Sequence, residues 1–226
     1  MKLFRFASPV VAAALLVVTP TLAQDVDVAG LNERYKDPNL QVEVWADRFA
    51  SEGREVFDFR EEIIGSIGIE AGQSVADVGA GTGLFEPLLA AAVGTGGRVY
   101  AIDIAPRFVE YIRTKAAEQN LIQITAMLGE DRSTGLPAGS VDVVFVCDTY
   151  HHFEDHEAML ASIHEALRPG GKLVIVEYHR IGPRIDHIRG DKAQFTAEIE
   201  AAGFAFSEEI DIEGMEENYV LHFERT

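Results

Sequence analysis

Cysteine occurs once in the 226-residue sequence, at position 147. A single thiol closes no disulfide within the chain, so the fold must be held by its apolar core. Cys147 stands in an apolar strand-like run with no basic neighbour to lower its pKa, which reads as a packed thiol and not as a nucleophile. Basic residues are also scarce: 19 Lys and Arg stand against 37 Asp and Glu, a formal charge of −18. That excess repels a phosphate backbone, and no nucleic-acid partner is expected. Internal repeats and low-complexity segments are missing, and the length calls for one domain with one sizeable core.

The long apolar stretch that the rest of the chain lacks is present at its start. Lys2 and Arg5 precede the apolar run Ala7 to Val18, and Thr19-Pro-Thr-Leu-Ala23 ends it with small residues at the two positions a signal peptidase reads. Residues 1–23 are therefore expected to be a signal peptide, and the protein to be exported, periplasmic or secreted. The run is somewhat short of the about 20 residues of a membrane span. No stable membrane anchor is expected after cleavage, and no cysteine follows the cut to carry a lipid. Residues 24–39 are polar and interrupted by Gly30 and Asp37-Pro38, which reads as an extended leader. The folded domain is expected over 40–226.

From Leu40 to Ile67 apolar residues recur at mostly helical spacing, interrupted at Ser51-Glu-Gly53, which predicts two helices joined at Gly53. Short apolar runs then alternate with longer amphipathic ones. Strands are expected at Val75–Val78, Val99–Ile102, Ile122–Leu128, Val141–Cys147 and Lys172–Glu177. Helices are expected at Phe85–Val93, Pro106–Glu118, Glu157–Leu167 and near Gln194–Ala201. This alternation predicts an α/β fold with a parallel sheet covered on both faces. The last two runs, Phe204–Ile210 and Tyr219–Phe223, lie too close for a helical crossover and should pair antiparallel. Arg168-Pro-Gly-Gly171 reads as the turn from helix into the fifth strand.

The first strand runs into Asp77-Val-Gly-Ala-Gly-Thr-Gly83. Three alternating glycines let the backbone turn tightly and come close to a ligand, and the helix that follows offers its free amides. An ordinary strand-to-helix turn rarely uses three. The spacing differs from the Gly-x-Gly-x-x-Gly of a dinucleotide loop, since Leu84 takes the place of the last glycine. Asp103 ends the second strand, where a carboxylate accepts both hydroxyl hydrogens of a ribose; alone it equally fits a cap for the helix at Pro106.

Together Val75-Ala-Asp-Val-Gly-Ala-Gly-Thr-Gly83, Asp103, Val141-Asp-Val-Val-Phe-Val-Cys147 and Leu167-Arg-Pro-Gly-Gly-Lys-Leu173 resemble the successive motifs of class I, Rossmann-like S-adenosylmethionine-dependent methyltransferases of the small-molecule type. The resemblance covers roughly residues 73 to 178. It implies a doubly wound, seven-stranded, mostly parallel sheet with an antiparallel last strand and an N-terminal helical lid. It also implies S-adenosyl-L-methionine as cofactor: Asp77, Gly79, Ala80, Gly81, Thr82 and Gly83 at the methionine moiety, Asp103 at the ribose and Ile104 on the adenine face. An acid after the third strand would meet the adenine amino group. Here Gly129-Glu130-Asp131 departs from the usual spacing to Leu136-Pro137, so Glu130 and Asp131 both stay candidates.

Asp148-Thr-Tyr-His-His-Phe-Glu-Asp155 follows the fourth strand and should line the same mouth of the sheet. Methyl transfer needs an aligned acceptor and, for a hydroxyl or protonated amine, a base. His151, His152 and Asp148 are the candidate catalytic residues, with His151 leading because His151 and Asp155 match a His-x-x-x-Asp stretch of small-molecule O-methyltransferases. One histidine packing against the cofactor and the other bonding a carbonyl is the plainer alternative. His151, His152, Asp155 and His156 cluster in sequence, yet the apolar stripe of the next helix explains itself without an ion, and no metal is expected. Tyr178, His179, Arg180, Arg184 and His187 follow the fifth strand in an insertion and read as a solvated loop, with contact to an anionic acceptor as the alternative. Tyr35, Trp45, Phe49, Arg54, Phe57 and Arg60 fall where related enzymes build a lid.

The expected function is methyl transfer to a small-molecule or lipid-derived acceptor. The alternative is an exported protein that binds adenosylmethionine or adenosylhomocysteine without turnover. A nicotinamide dehydrogenase is disfavoured by the loop spacing.

Overall fold

A computed structural model of the chain describes residues 30–182 and 187–226. The expected signal segment, residues 24–29 of the expected leader, and Arg184 lie outside them. Among the described residues seven strands form one sheet: β1 (Ser74–Val78), β2 (Arg98–Asp103), β3 (Ile124–Leu128), β4 (Val141–Cys147), β5 (Leu167–Tyr178), β6 (Phe204–Ile210) and β7 (Asn218–Arg225). Their order is β3-β2-β1-β4-β5-β7-β6. The first five pair in parallel, and β7 runs antiparallel to both β5 and β6. The order reverses between β1 and β4, so the carboxyl ends of those two strands open a crevice.

Strand β4 shows why this sheet is buried on both sides. Val144 and Val146 join the layer containing Leu160, Ile163 and Phe195, while Val143, Phe145 and Cys147 join the layer containing Ile63, Ile67 and Leu89. The period of two therefore delivers apolar side chains to both faces, and the strand reads as an unbroken apolar run. Helices α3 (Arg60–Ile67) and α4 (Glu86–Val93) cover one face, and α6 (His156–Ala166) and α7 (Lys192–Ala201) the other. Full burial of a residue such as Leu160 or Ile163 contributes roughly 1.5–3 kcal/mol.

Local signals set the ends. The Asp155 carboxylate accepts from Ala158 N at 3.0 Å and starts α6; Asp191 accepts from Gln194 N at 2.9 Å and starts α7. Pro106 occupies the first turn of α5 (Pro106–Glu118), where its missing N–H costs nothing. Gly68 closes α3 at φ 69°.

Three expectations are corrected. The second predicted helix is interrupted: α1 (Val42–Phe49) is followed by α2 (Glu55–Asp58) and then α3, because Phe59 opens to ψ 17° while its ring packs on the apolar layer. Arg168–Gly171 lie inside β5 and not in a turn; a bulge between Val141 and Val143 absorbs them, with Gly170 at φ 74°. The part of the leader that is described, 30–39, is not simply extended, although most of it is exposed. It forms a short 3-10 turn at Glu33–Tyr35, buries Asn32, and sets the Tyr35 ring 5.1 Å from Trp45.

Candidate active site

Loop Gly79–Gly83 leaves β1 at the crevice. Gly79, Gly81 and Gly83 have φ of 83°, 57° and 83°, a region that suits glycine. Gly79 has a second reason: a Cβ there would lie 2.2 Å from Thr149 Cγ2, so β4's loop could not approach. Gly79 N and Ala80 N both donate to Ile102 O, at 2.8 and 3.0 Å, tying the loop to β2. Asp103 ties the glycine loop to the start of α5 without capping that helix. Its Oδ1 accepts from the N–H of Ala105, the residue just before α5, at 2.8 Å, and its Oδ2 accepts from Gly81 N at 2.8 Å. Each oxygen keeps a second lone pair for a ligand hydroxyl. Burial pushes this carboxyl up to about 6, against the pull of those N–H groups.

Asp77 and Glu86 are buried beside the loop. Burial pushes Asp77 up to about 7, and burial with the adjacent Asp77 charge holds Glu86 well above the usual carboxylate range, so that a proton kept on Glu86 bonds Asp77. Beyond that shared proton, Asp77 Oδ2 and both Glu86 oxygens have no hydrogen-bond partner among the described residues. Asp77 lines a cavity of about 710 Å³ together with Gly79, Ala80, Gly81, Asp103, Ile104, Glu130 and Asp131, a size suited to a ligand of cofactor dimensions. An orphaned buried carboxylate fits the ammonium of an amino-acid moiety, and Asp103 fits a ribose. The residues present therefore fit adenosylmethionine. Thr82 and Gly83 belong to the same loop but do not line the cavity; Gly83 instead closes the turn on Ala80 O at 3.0 Å. Asp131 is engaged by Lys36 at 2.8 Å, and no such cation pairs with Glu130 among the described residues.

At the other end of the cavity the structure brings together residues from four segments. His151 is 1% exposed. Its Nδ1 lies 2.7 Å from Glu177 Oε2 and its Nε2 lies 3.2 Å from His187 Nε2. Glu177 accepts three N–H groups in all, since it also accepts from His151 N and Tyr178 N. His152 Nδ1 lies 3.2 Å from Asn32 Oδ1, while Asn32 Nδ2 donates to His152 O at 2.9 Å. Burial and the neighbouring His151 and His187 push His152 down to about 2, so its ring is neutral. Burial likewise lowers His187.

Asp148 does not stand free as a base. At φ 48°, it accepts from Arg54 Nη2 and from Asn218 Nδ2, both at 2.7 Å. It thus pins the segment after α1 to β7. Asp155 and His156 do not join the histidines: Asp155 caps α6 and pairs with Arg132, and His156 Nε2 lies 3.8 Å from Glu198. Of the lid residues, Tyr35, Trp45, Phe49 and Arg54 line the cavity; Phe57 and Arg60 do not, and Arg60 stacks on Phe57 outside it. His187, read as part of a solvated loop, lines the cavity with Tyr178.

Asn32, Glu177 and His187 went unpredicted as site residues. Glu177 carried a signal, a carboxylate closing the apolar run Leu173–Val176. Asn32 and His187 carried none, because only the fold brings them to His151 and His152.

The sheet order and the crevice beyond β1 and β4 give the Rossmann-like fold that methyltransferases share. Residues 76–175 match the family model described as "Methyltransferase domain". Among curated proteins it is similar to nocamycin O-methyltransferase of Saccharothrix syringae, 37% identical over 102 residues, which are 45% of this chain and 36% of that one. Aklanonic acid methyltransferase of Streptomyces sp. (strain C5) is 32% identical over 125 residues, 55% of this chain and 54% of its own. The chain thus spans about half or less of the length of these relatives. A solved S-adenosylmethionine-dependent methyltransferase from Aquifex aeolicus shares the fold at TM-score 0.74 and 23% identity, covering 83% of this chain and all of that one.

Proposed function

We propose that the chain transfers a methyl group from S-adenosylmethionine to a small-molecule or lipid-derived acceptor, the histidines beyond β4 being the groups that meet the acceptor. One observation carries this reading: the orphaned Asp77 carboxylate and the half-satisfied Asp103 share a single cavity with His151, His152 and His187. Adenosylmethionine supplies an electrophilic methyl group on a sulfonium. Asp77 takes the ammonium of its methionine part, Asp103 its ribose hydroxyls, and Glu130 its adenine amino group. Ile104 packs on the adenine face.

Tyr35, Trp45, Phe49 and Phe108 form an aromatic wall with ring centroids 5.1 to 6.4 Å apart. Such a wall excludes water and suits a flat or apolar acceptor. Arg34 and Arg48 lie over Trp45 at 5.7 and 5.2 Å, where they would draw in an acceptor with an anionic group. A proton given up by the acceptor has a path to the Glu177-oriented His151 through His187.

Calorimetry with adenosylmethionine, adenosylhomocysteine and NAD tests the cofactor: binding of the two sulfur compounds and not of NAD is expected, and binding of neither sinks the reading. Transfer from labelled adenosylmethionine to a panel of quinols, phenols, thiols and hydroxylated acids then tests the reaction. Binding without transfer to any of them would favour a non-catalytic binding protein. Export remains part of the proposal, and the intact mass of the chain purified from its native host checks it.

A further inference from the structure

We infer that His151, His152 and His187 form a binding site for one divalent transition-metal ion of the zinc class, at the acceptor end of the cavity. Each offers one ring nitrogen, and the three nitrogens lie within 4.8 Å of one another. The rings crowd together, with centroids 4.3, 4.9 and 5.3 Å apart. A tetrahedral ion with Zn–N bonds of about 2.0–2.1 Å sets its ligand nitrogens about 3.4 Å apart. The His151 Nε2 to His187 Nε2 separation of 3.2 Å already matches that, and a ring rotation brings in His152.

The groups behind the rings carry the argument further. His151 gives its Nδ1 hydrogen to Glu177, a buried carboxylate, which leaves the Nε2 lone pair facing His187. His152 gives its Nδ1 hydrogen to Asn32 Oδ1, and the Asn32 amide is itself oriented by its bond to His152 O. This carboxylate–histidine arrangement is how proteins fix the tautomer and aim of a metal-binding imidazole. Without an ion only one hydrogen fits between the two facing Nε2 atoms. Three imidazoles with no carboxylate at the focus disfavour magnesium and calcium and suit zinc, cobalt, nickel or iron.

All three residues line the cavity. Three protein ligands leave a fourth position open towards it, for water or for an anionic oxygen or sulfur of the acceptor. The ion site stands apart from the cofactor reading, but when it is filled both Nε2 atoms are ligated and the proton path from His187 to His151 is closed; its use in holding the acceptor rests on the methyl-transfer reading.

The test uses untagged protein freed of metal by chelation and titrated with cobalt(II). One equivalent is expected to give the intense visible bands of four- or five-coordinate cobalt, which zinc(II) then bleaches. His187→Ala, at a half-exposed position, should lower cobalt affinity at least about 100-fold, and Glu177→Gln about 10–100-fold. His156→Ala and His164→Ala should leave it unchanged. Visible bands that stay absent with the folded wild-type protein, or that survive in both His187→Ala and His152→Ala, would overturn the site. Calorimetry of adenosylhomocysteine on the metal-free protein keeps the two readings apart: retained binding without a cobalt signal removes the ion site alone, and a cobalt signal without that binding removes the cofactor reading alone.

Discussion

The two ends of the cavity treat buried polar groups in opposite ways. Around β1 and β2, Asp77, Glu86 and Asp103 are buried carboxyls pushed above their ordinary range, and beyond a shared proton Asp77 Oδ2 and both Glu86 oxygens lack partners among the described residues. Beyond β4, Glu177 accepts three N–H groups and Asp148 is held by Arg54 and Asn218. The first end stores unfavourable desolvation that a ligand with an ammonium and hydroxyls relieves. Although burial raises Asp148 there too, the second holds its carboxylates on N–H donors before any ligand arrives, which is how a site keeps reactive side chains in one geometry.

The largest effect that sharpens this contrast comes from neutralising the unsatisfied end. Bonds to charged groups contribute about 1.5–3 kcal/mol each, so Asp77→Asn and Asp103→Asn should each weaken adenosylhomocysteine binding by about 10–100-fold, read by calorimetry. Asp77→Asn should also raise the melting temperature of the ligand-free protein at pH 8 by a few degrees. The sign follows from linkage: a carboxyl whose folded pKa is raised from 3.8 to about 7 favours the folded state at low pH, and that stability is lost as pH rises through 7. Removing the charge restores it. A mutant that loses both affinity and stability would erase the contrast.

At the histidine end the expected pattern is reversed. Glu177→Gln keeps the shape but weakens the hold on His151 Nδ1, so methyl transfer should fall about 10–100-fold while adenosylhomocysteine affinity stays within about twofold. Equal losses in both would mean that the two ends are one coupled unit.

Acidity offers a third handle. Asp103 sits near pKa 6 in the free protein, and donors from a bound ribose lower it, so ligand binding releases a proton below that pH. In Asp77→Asn, which removes the other raised carboxyl at this end, affinity for adenosylhomocysteine should therefore be flat above about pH 7 and fall towards about tenfold per unit well below 6, whereas in wild type Asp77 starts the fall near 7 and steepens it. A flat profile down to pH 5 would show that Asp103 does not meet the ligand.

How much of each end was legible in the sequence follows from the same contrast. The cofactor end is built from one continuous loop and the tips of β1 and β2, so spacing singles out the glycines and Asp103 as candidates, and the family resemblance adds Asp77. The sheet was equally legible, since β4 and β5 are apolar on both faces and the close spacing of β6 and β7 forces an antiparallel pair. The histidine end joins Asn32, His151, Glu177 and His187, separated by up to 155 residues along the chain. No local periodicity ties such residues together; only the fold of β5 and the packing of the N-terminal turn do. Composition misled in the same place, because polar residues 30–39 looked like solvated leader although Asn32 is 6% exposed.

Asn32 gives the smallest and most discriminating prediction. It holds His152 through two contacts, Nδ2 to His152 O at 2.9 Å and Oδ1 to Nδ1 at 3.2 Å. Neutral hydrogen bonds of this kind contribute about 0.5–1.5 kcal/mol each, so Asn32→Ala should slow methyl transfer by about five- to tenfold with little change in cofactor affinity. Asn32→Asp keeps an acceptor for Nδ1 but loses the donor to His152 O, and should recover part of the rate. If both variants match wild type in transfer kinetics, the N-terminal turn only covers the cavity. If Asp rescues where Ala fails, the turn sets the tautomer of His152, and the histidine end begins at residue 32 and not at β4.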